Sequence, residues 1–439
     1  MAPFIAALSS ALIAAICVRA VPTVSTRNNI VDTSHEVKRQ SGAVQGNFSQ
    51  FEGWDTFKAY GSNLGGWLEI ETSITPNIWI DGGANVTDEW TFCETVGKQR
   101  CGQVLEEHYR TFITTDTIDK LATVDVNIVR IPTTYAAWVN VSGSNLYSGN
   151  QQQYLREITN YAISTYGMHV VIGLHSLPGG VNTLEIGEAF GRDFWFYNET
   201  NLNYSLEAVD SVLDFVQSSI APDQFTIAPI NEPTDDFSRF ASPESVSYPD
   251  GVNYVNAYIK AVYAKMQAVN PNLWLMQNDA FGGASRWTPY WNTTDKWLLE
   301  EHVYFFAVPG VYADTIPGRI CQETANRRAD GFNIFVGEFS LQAQLGNTFA
   351  GRQAIYDSQV RAFQQYLSGG TFWTARFEGF DPVNGQGTQN DYWYFNKLVT
   401  EGPPVLIFYA ATKLINFLSF AGVIRSYGVV NNTDYCRDD

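Results

Sequence analysis

Phe-Thr-Ile-Ala-Pro-Ile-Asn-Glu at 225–232 and Asn-Ile-Phe-Val-Gly-Glu-Phe at 333–339 are built alike: a short, almost unbroken apolar run with a glutamate at or near its end. Continuous rather than alternating apolar residues mark a strand buried on both faces, as in a parallel sheet covered by helices. A carboxylate set directly after four or five such residues faces desolvation, and that cost needs a reason.

Six further β-rich runs share the pattern, at 59–63, 126–131, 169–175, 273–278, 298–304 and 371–377. Helical spacing fills several intervals, at 104–121, 153–166, 206–217, 252–268 and 353–367, and is less clear after the fifth and sixth strands. Strand and helix alternating eight times without a break in composition predict an α/β fold, a (β/α)8 TIM barrel forming a single catalytic domain over 40–425, with a C-terminal tail at 426–439. The apolar stretch 403–423 contains Lys413, so it reads as a packed final helix rather than a membrane span.

The 439 residues are 45% hydrophobic and 16% charged, enough to bury a large core and incompatible with a mainly disordered chain. The formal charge of −18 argues against nucleic acid or an anionic membrane as partner, since both reward clustered Lys and Arg. Twelve Trp, 23 Tyr and 28 Phe exceed what core filling requires and suit surfaces that stack on flat faces such as sugar rings.

Residues 4–18 are apolar and small and end at Val18-Arg19-Ala20, which reads as a secretory signal over 1–20. A polar segment, 21–39, ends at the dibasic pair Lys38-Arg39 and reads as a propeptide. Asn-x-Ser/Thr acceptors at Asn47, Asn85, Asn140, Asn198, Asn203, Asn292 and Asn431 fit an exported, extracellular or cell-wall protein. Beyond Cys17, which leaves with the signal, Cys93, Cys101, Cys321 and Cys436 form an even set with three possible connectivities. The short polar stretch between Cys93 and Cys101 favours their pairing, which leaves Cys321 with Cys436.

Barrel active sites lie at the carboxyl ends of the strands. Arg130, His175, Asn231, Glu232, His302, Tyr304 and Glu338 fall at such ends, and Trp373 falls inside the eighth run. Two carboxylates converging on one mouth are the machinery of glycoside hydrolysis, one protonated as acid and one ionised as nucleophile. Arg130 and Tyr304 are expected to keep Glu338 ionised, whereas Glu232, with no cation assigned to it, keeps its proton.

Asn-Leu-Gly-Gly-Trp at 63–67, Val-Arg-Ile-Pro at 129–132, Leu-His-x-x-Pro-Gly at 174–179, Asn-Glu-Pro at 231–233, His-x-Tyr at 302–304, Gly-Glu-Phe-Ser at 337–340 and Trp373 together resemble glycoside hydrolase family 5, the cellulase family A, and within it the fungal exo-β-1,3-glucanases. The resemblance runs from about residue 60 to 377. It implies a retaining mechanism with Glu232 as acid/base and Glu338 as nucleophile. Arg130, His175, Asn231, His302, Tyr304 and Trp373 would surround the non-reducing-end glucose, with Glu71 and its neighbour Glu185 gripping sugar hydroxyls. The expected activity is release of glucose from β-1,3-glucan or its oligosaccharides by a monomer, without metal or organic cofactor and without a membrane partner once the signal is cut.

Departures from that pattern cluster on the leaving-group side. Leu184 and Ala307, with Phe306 one residue away, stand where the exoglucanases place two phenylalanines. The segments 132–138, 176–182 and 385–393 are instead similar to fungal rutinosidases of the same family, which release a disaccharide from flavonoid glycosides. A third reading, a non-catalytic carbohydrate-binding or cell-wall protein on an inert barrel, is disfavoured by the intact pair of glutamates.

Overall fold

The computed structural model describes residues 51–83, 86–182, 186–189, 193–400 and 436. The readings of a signal at 1–20, a propeptide at 21–39 and a final helix at 403–423, and the residues Leu184, Glu185, Asn47, Asn85 and Asn431, lie outside the described residues. So does the tail at 426–439 apart from Cys436.

Eight parallel strands close in sequence order: β1 (Ala59–Asn63), β2 (Ile128–Thr133), β3 (His169–Leu174), β4 (Phe225–Ala228), β5 (Trp274–Asn278), β6 (Trp297–Val303), β7 (Asn333–Phe339) and β8 (Gly369–Phe372), with β8 pairing back onto β1. This is the (β/α)8 barrel. Every strand is buried on both faces except the first residue of β7, which accounts for the unbroken apolar runs.

Side chains alternate along each strand between the helical jacket and the barrel interior. Ile128, Val171, Ala228, Met276, Leu298 and Phe335 point inward as one apolar cluster, closed from below by Phe51, Trp54 and Trp274. Trp54 Nε1 donates to Thr226 Oγ1 at 2.9 Å, so the buried indole is satisfied. The next inward position on β2 is Arg130 and on β6 is Glu300, so the interior turns from apolar to ionic within one alternation.

Several boundaries differ from the sequence reading for identifiable reasons. The expected helix at 104–121 is two helices, Lys98–Thr111 and Thr115–Ala122, because Thr114 adopts extended dihedrals and its N–H donates to Thr117 Oγ1 at 3.2 Å, capping a new helix. β4 stops at Ala228 because Pro229 has no N–H to extend the ladder. β8 ends at Phe372, which puts Trp373 one residue beyond the strand rather than within it. After β5 the crossover has only a short helix, Ala284–Trp287, whereas Ile316–Ala325 forms a full helix after β6.

Cys93 is bonded to Cys101 and Cys321 to Cys436. The stretch joining the first pair is not a loop: the two cysteines lie in successive helices, Glu89–Val96 and Lys98–Thr111, broken only at Gly97. The second bridge ties residue 436 to the helix after β6. No helix among the described residues is long and apolar enough to cross a membrane. Asn140, Asn203 and Asn292 are exposed, and Asn198 is half-buried while its side chain caps the helix Glu199–Gln217.

Candidate active site

Strict alternation would send Glu338 outward with Ile334 and Val336, into the jacket. The register between β6 and β7 shifts instead: Glu301 pairs with Val336, but His302 pairs with Glu338. The extra residue, Gly337, forms a bulge that re-aims Glu338 into the barrel beside His302, a use of bulges common next to active sites. Glu232 reaches the same space differently. It lies past the end of β4 with φ of 44°, a left-handed conformation that non-glycine residues adopt rarely and that concentrates at functional sites.

The two carboxylates and His302 each have a ligand atom within 4.8 Å of the others. His302 Nδ1 donates to Glu232 Oε1 at 2.6 Å and lies 3.4 Å from Glu338 Oε2. Tyr304 donates its hydroxyl to Glu338 Oε2 at 2.7 Å. Arg130, fully buried, donates through Nη1 to Glu338 Oε1 at 2.9 Å and to Asn63 Oδ1 at 3.0 Å, and through Nη2 to Asn231 Oδ1 at 3.0 Å. Its Nη1 also lies 3.0 Å from His175 Nε2, which must accept, so the proton of that neutral ring is on Nδ1. Burial, the Arg130 charge and the His302 charge hold the His175 pKa well below the ordinary range.

Electrostatics correct the expected direction of the shift at Glu338. Burial raises the Glu338 pKa and Glu232 adds to it, and together they outweigh the opposing pull of His302, Arg130 and the Tyr304 hydroxyl. The sequence reading weighed Arg130 and Tyr304 alone. Nor is Glu232 without a cation. Burial opposes charge on His302, but the carboxylates of Glu338, Glu232 and Glu300 push its pKa up to about 10, so an imidazolium faces Glu232.

Above this cluster opens a cavity of about 530 Å³, lined among others by Glu71, His175, Asn231, Glu232, His302, Tyr304, Glu338 and Trp373. Every described residue singled out as acid, nucleophile or sugar contact borders it except Arg130, which braces the floor. Burial, with Glu338 and Glu232 nearby, raises the Glu71 carboxyl pKa to about 8. Trp373 stacks parallel to His175 with ring centroids 5.7 Å apart, and a cis peptide joins it to Thr374. Its ring lies over Gly65, where a Cβ would fall 2.7 Å from the indole, which explains a glycine in Asn-Leu-Gly-Gly-Trp.

Ala307 and Phe306 both line this cavity. Phe306 packs edge-on against Tyr304 and Trp393, at 5.4 and 5.2 Å, and Trp393 stacks on Tyr304 at 5.3 Å. Across the mouth, Phe240 and Phe281 meet edge to face at 5.3 Å. The sequence reading missed Trp393, Phe240 and Phe281 as wall residues because Trp393 ends a helix of one turn, Asn390–Trp393, and the two phenylalanines lie in connections, none of which leaves a periodic signal. It also missed two buried acids. Glu69 approaches His175 Nδ1 at 3.9 Å, and Glu300 meets Arg130 Nε at 2.6 Å. The second had a signal, a Glu-Glu pair directly after the apolar start of the run at 298–304.

The model of the cellulase family, glycosyl hydrolase family 5, matches residues 89–379. The chain belongs to glycosyl hydrolase family 5. Among similar solved structures, the rutinosidase from Aspergillus niger is 41% identical with a TM-score of 0.77, the match covering 80% of this chain and 98% of that one. AoRut is 44% identical with a TM-score of 0.76, covering 80% and 97%. A probable glucan 1,3-beta-glucosidase A of Aspergillus niger is 30% identical over 247 residues, 56% of this chain and 55% of the relative. Glucan 1,3-beta-glucosidase 1 of Schizosaccharomyces pombe is 34% identical over 180 residues, 40% and 44%. The chain thus spans about half the length of the curated relatives it matches.

Proposed function

We propose that this protein is a secreted, retaining β-glycosidase that releases a disaccharide from flavonoid or other aryl β-glucosides. The observation that carries the choice of substrate is the near full-length likeness to a rutinosidase, at 41% identity over 98% of that chain, against about half-length matches to glucan 1,3-beta-glucosidases. The leaving-group wall supports it: Phe306, Trp393, Phe240 and Phe281 offer ring faces and edges suited to a flat aglycone.

In the proposed reaction Glu338 attacks the anomeric carbon as the glycosidic C–O bond breaks, and Glu232 gives its proton to the departing oxygen. The sugar is then held as an ester on Glu338. Water attacks the same carbon, Glu232 takes its proton, and Glu338 leaves with the configuration restored. Carboxyl groups of retaining enzymes lie about 5–5.5 Å apart, and the approach of the two groups here, within 4.8 Å between oxygens, supports this course over inversion. Asn231, its carbonyl oxygen engaged by Arg130, presents its amide NH2 to the 2-hydroxyl, while Glu71, His175 and Trp373 grip the remaining sugar edges. Cleavage of β-1,3-glucan oligosaccharides from the non-reducing end is the second reading, favoured by the curated relatives.

Product analysis after incubation with rutin and, separately, with laminarin tests the choice. Intact rutinose from rutin is the expected result. Glucose from laminarin, with rutin left uncut, would overturn it in favour of the second reading.

A further inference from the structure

Glu300 does not border the cavity and is fully enclosed within the barrel. It precedes His302 by one alternation on β6, so both side chains point inward. Its Oε1 lies 2.6 Å from Arg130 Nε and 3.7 Å from His302 Nε2, the two cations that contact Glu338 and Glu232 on their other sides. The neighbouring strand β7 leaves room for it: a Cβ at Gly337 would fall 2.0 Å from Glu300 Oε1. The glycine that creates the bulge before Glu338 is therefore also the seat of the Glu300 carboxylate.

We propose that Glu300 is a positioning residue that holds Arg130 and His302 in place against Glu338 and Glu232 and balances their charge. The proposal rests on the roles given above to Glu232 and Glu338. Arg130 and His302 contribute two positive charges, and Glu300 and Glu338 two negative ones, so the cluster is neutral in the state the chemistry requires. Take away Glu300 and the same state carries one excess positive charge, which draws protons off the cluster at lower pH. The charged and titratable groups facing Glu300 are Arg130 from β2 and His302 from β6, with Asn278 from β5 at 3.3 Å from His302 Nε2. Behind them stand Glu338, Glu232 and His175. The arrangement keeps Glu300 itself below the ordinary carboxylate range: burial raises its pKa, but Arg130 and His302 outweigh that.

The test compares Glu300→Gln, Glu300→Asp and Glu338→Gln in the full chain, following kcat and KM against pH on a nitrophenyl β-glucoside. Removing a negative charge makes neighbouring protons leave at lower pH, so in Glu300→Gln both limbs of the kcat/KM profile should move down by about one unit. kcat should fall about tenfold or more with KM little changed, because the residue does not touch substrate. Glu300→Asp keeps the charge but withdraws it from Arg130, so kcat should fall while the limbs stay near their wild-type positions. Wild-type kcat with unmoved limbs in a folded Glu300→Gln protein would show that Glu300 only fills the barrel. Should Glu300→Gln fail to fold, an undiminished kcat in Glu300→Asp overturns the proposal equally. Full activity in Glu338→Gln would overturn the nucleophile assignment instead.

Discussion

The floor of the barrel and the layer above it come from the same strands, one alternation apart. On β2 the inward residues run from Ile128 to Arg130, on β6 from Leu298 to Glu300 and His302, and on β7 from Phe335 to Gly337 and the re-aimed Glu338. The floor is apolar and held mainly by packing, with the Trp54–Thr226 hydrogen bond satisfying its buried indole. The layer above it is almost wholly ionised or hydrogen-bonded. The floor excludes water from beneath the charges, so each hydrogen bond in the layer is stronger than it would be in solvent and each unpaired charge costlier. The contrast assigns stability to one layer and chemistry to the other, and substitutions should separate them.

The largest effect belongs to the charged layer. Glu338→Ala should lose roughly four orders of magnitude or more in kcat and regain turnover with azide, giving the inverted glycosyl azide, whereas Glu232→Ala with azide should give the retained product. Chromatography and NMR of the products check this, and the same configuration from both variants would defeat the assignment of roles. In the floor, Trp54→Ala should cost about 3–5 kcal/mol of stability, seen as a fall in Tm, with kcat near wild type at temperatures where the variant remains folded. A selective loss of kcat without loss of Tm would blur the two layers into one.

Tyr304→Phe sits at the join. Its hydroxyl favours the ionised form of Glu338, so removing it raises that pKa further. Because the nucleophile must be ionised, the acidic limb of the pH profile should move upward and kcat should fall. An unmoved limb at full activity would reduce Tyr304 to packing. The smallest effect is expected on the leaving-group wall. Phe306→Ala should lose about 1 kcal/mol of stacking, read as a severalfold drop in kcat/KM for an aryl glycoside and little change for an alkyl one.

The barrel was legible because its signal is local: strands buried on both faces give apolar runs, and eight of them in alternation with helices leave few architectures. β1 and β7 match the sequence reading residue for residue. Strand ends were legible where polar residues stop the run, as at Asn278, and illegible where proline does, as after Ala228; the register shift at Gly337, inside β7, was hidden too. The shell residues were found by position at strand ends. Glu300 was not, since a buried acid one layer down differs from a functional one only through the partners it meets. The upward shifts of Glu338 and His302 escaped the sequence for the same reason, because burial and the third carboxylate around His302 are properties of three-dimensional proximity.

Trapping the covalent intermediate is the most direct test of the proposed chemistry. Incubation with an activated 2-deoxy-2-fluoro-β-glucoside slows both steps, and digestion followed by mass spectrometry locates the attached sugar. The expected result is one fluoroglucosyl group on Glu338, in the peptide containing Gly337 and Phe339, with none on Glu232. Attachment to Glu232, or turnover of a normal aryl glycoside to a first-formed sugar of inverted configuration, would contradict it.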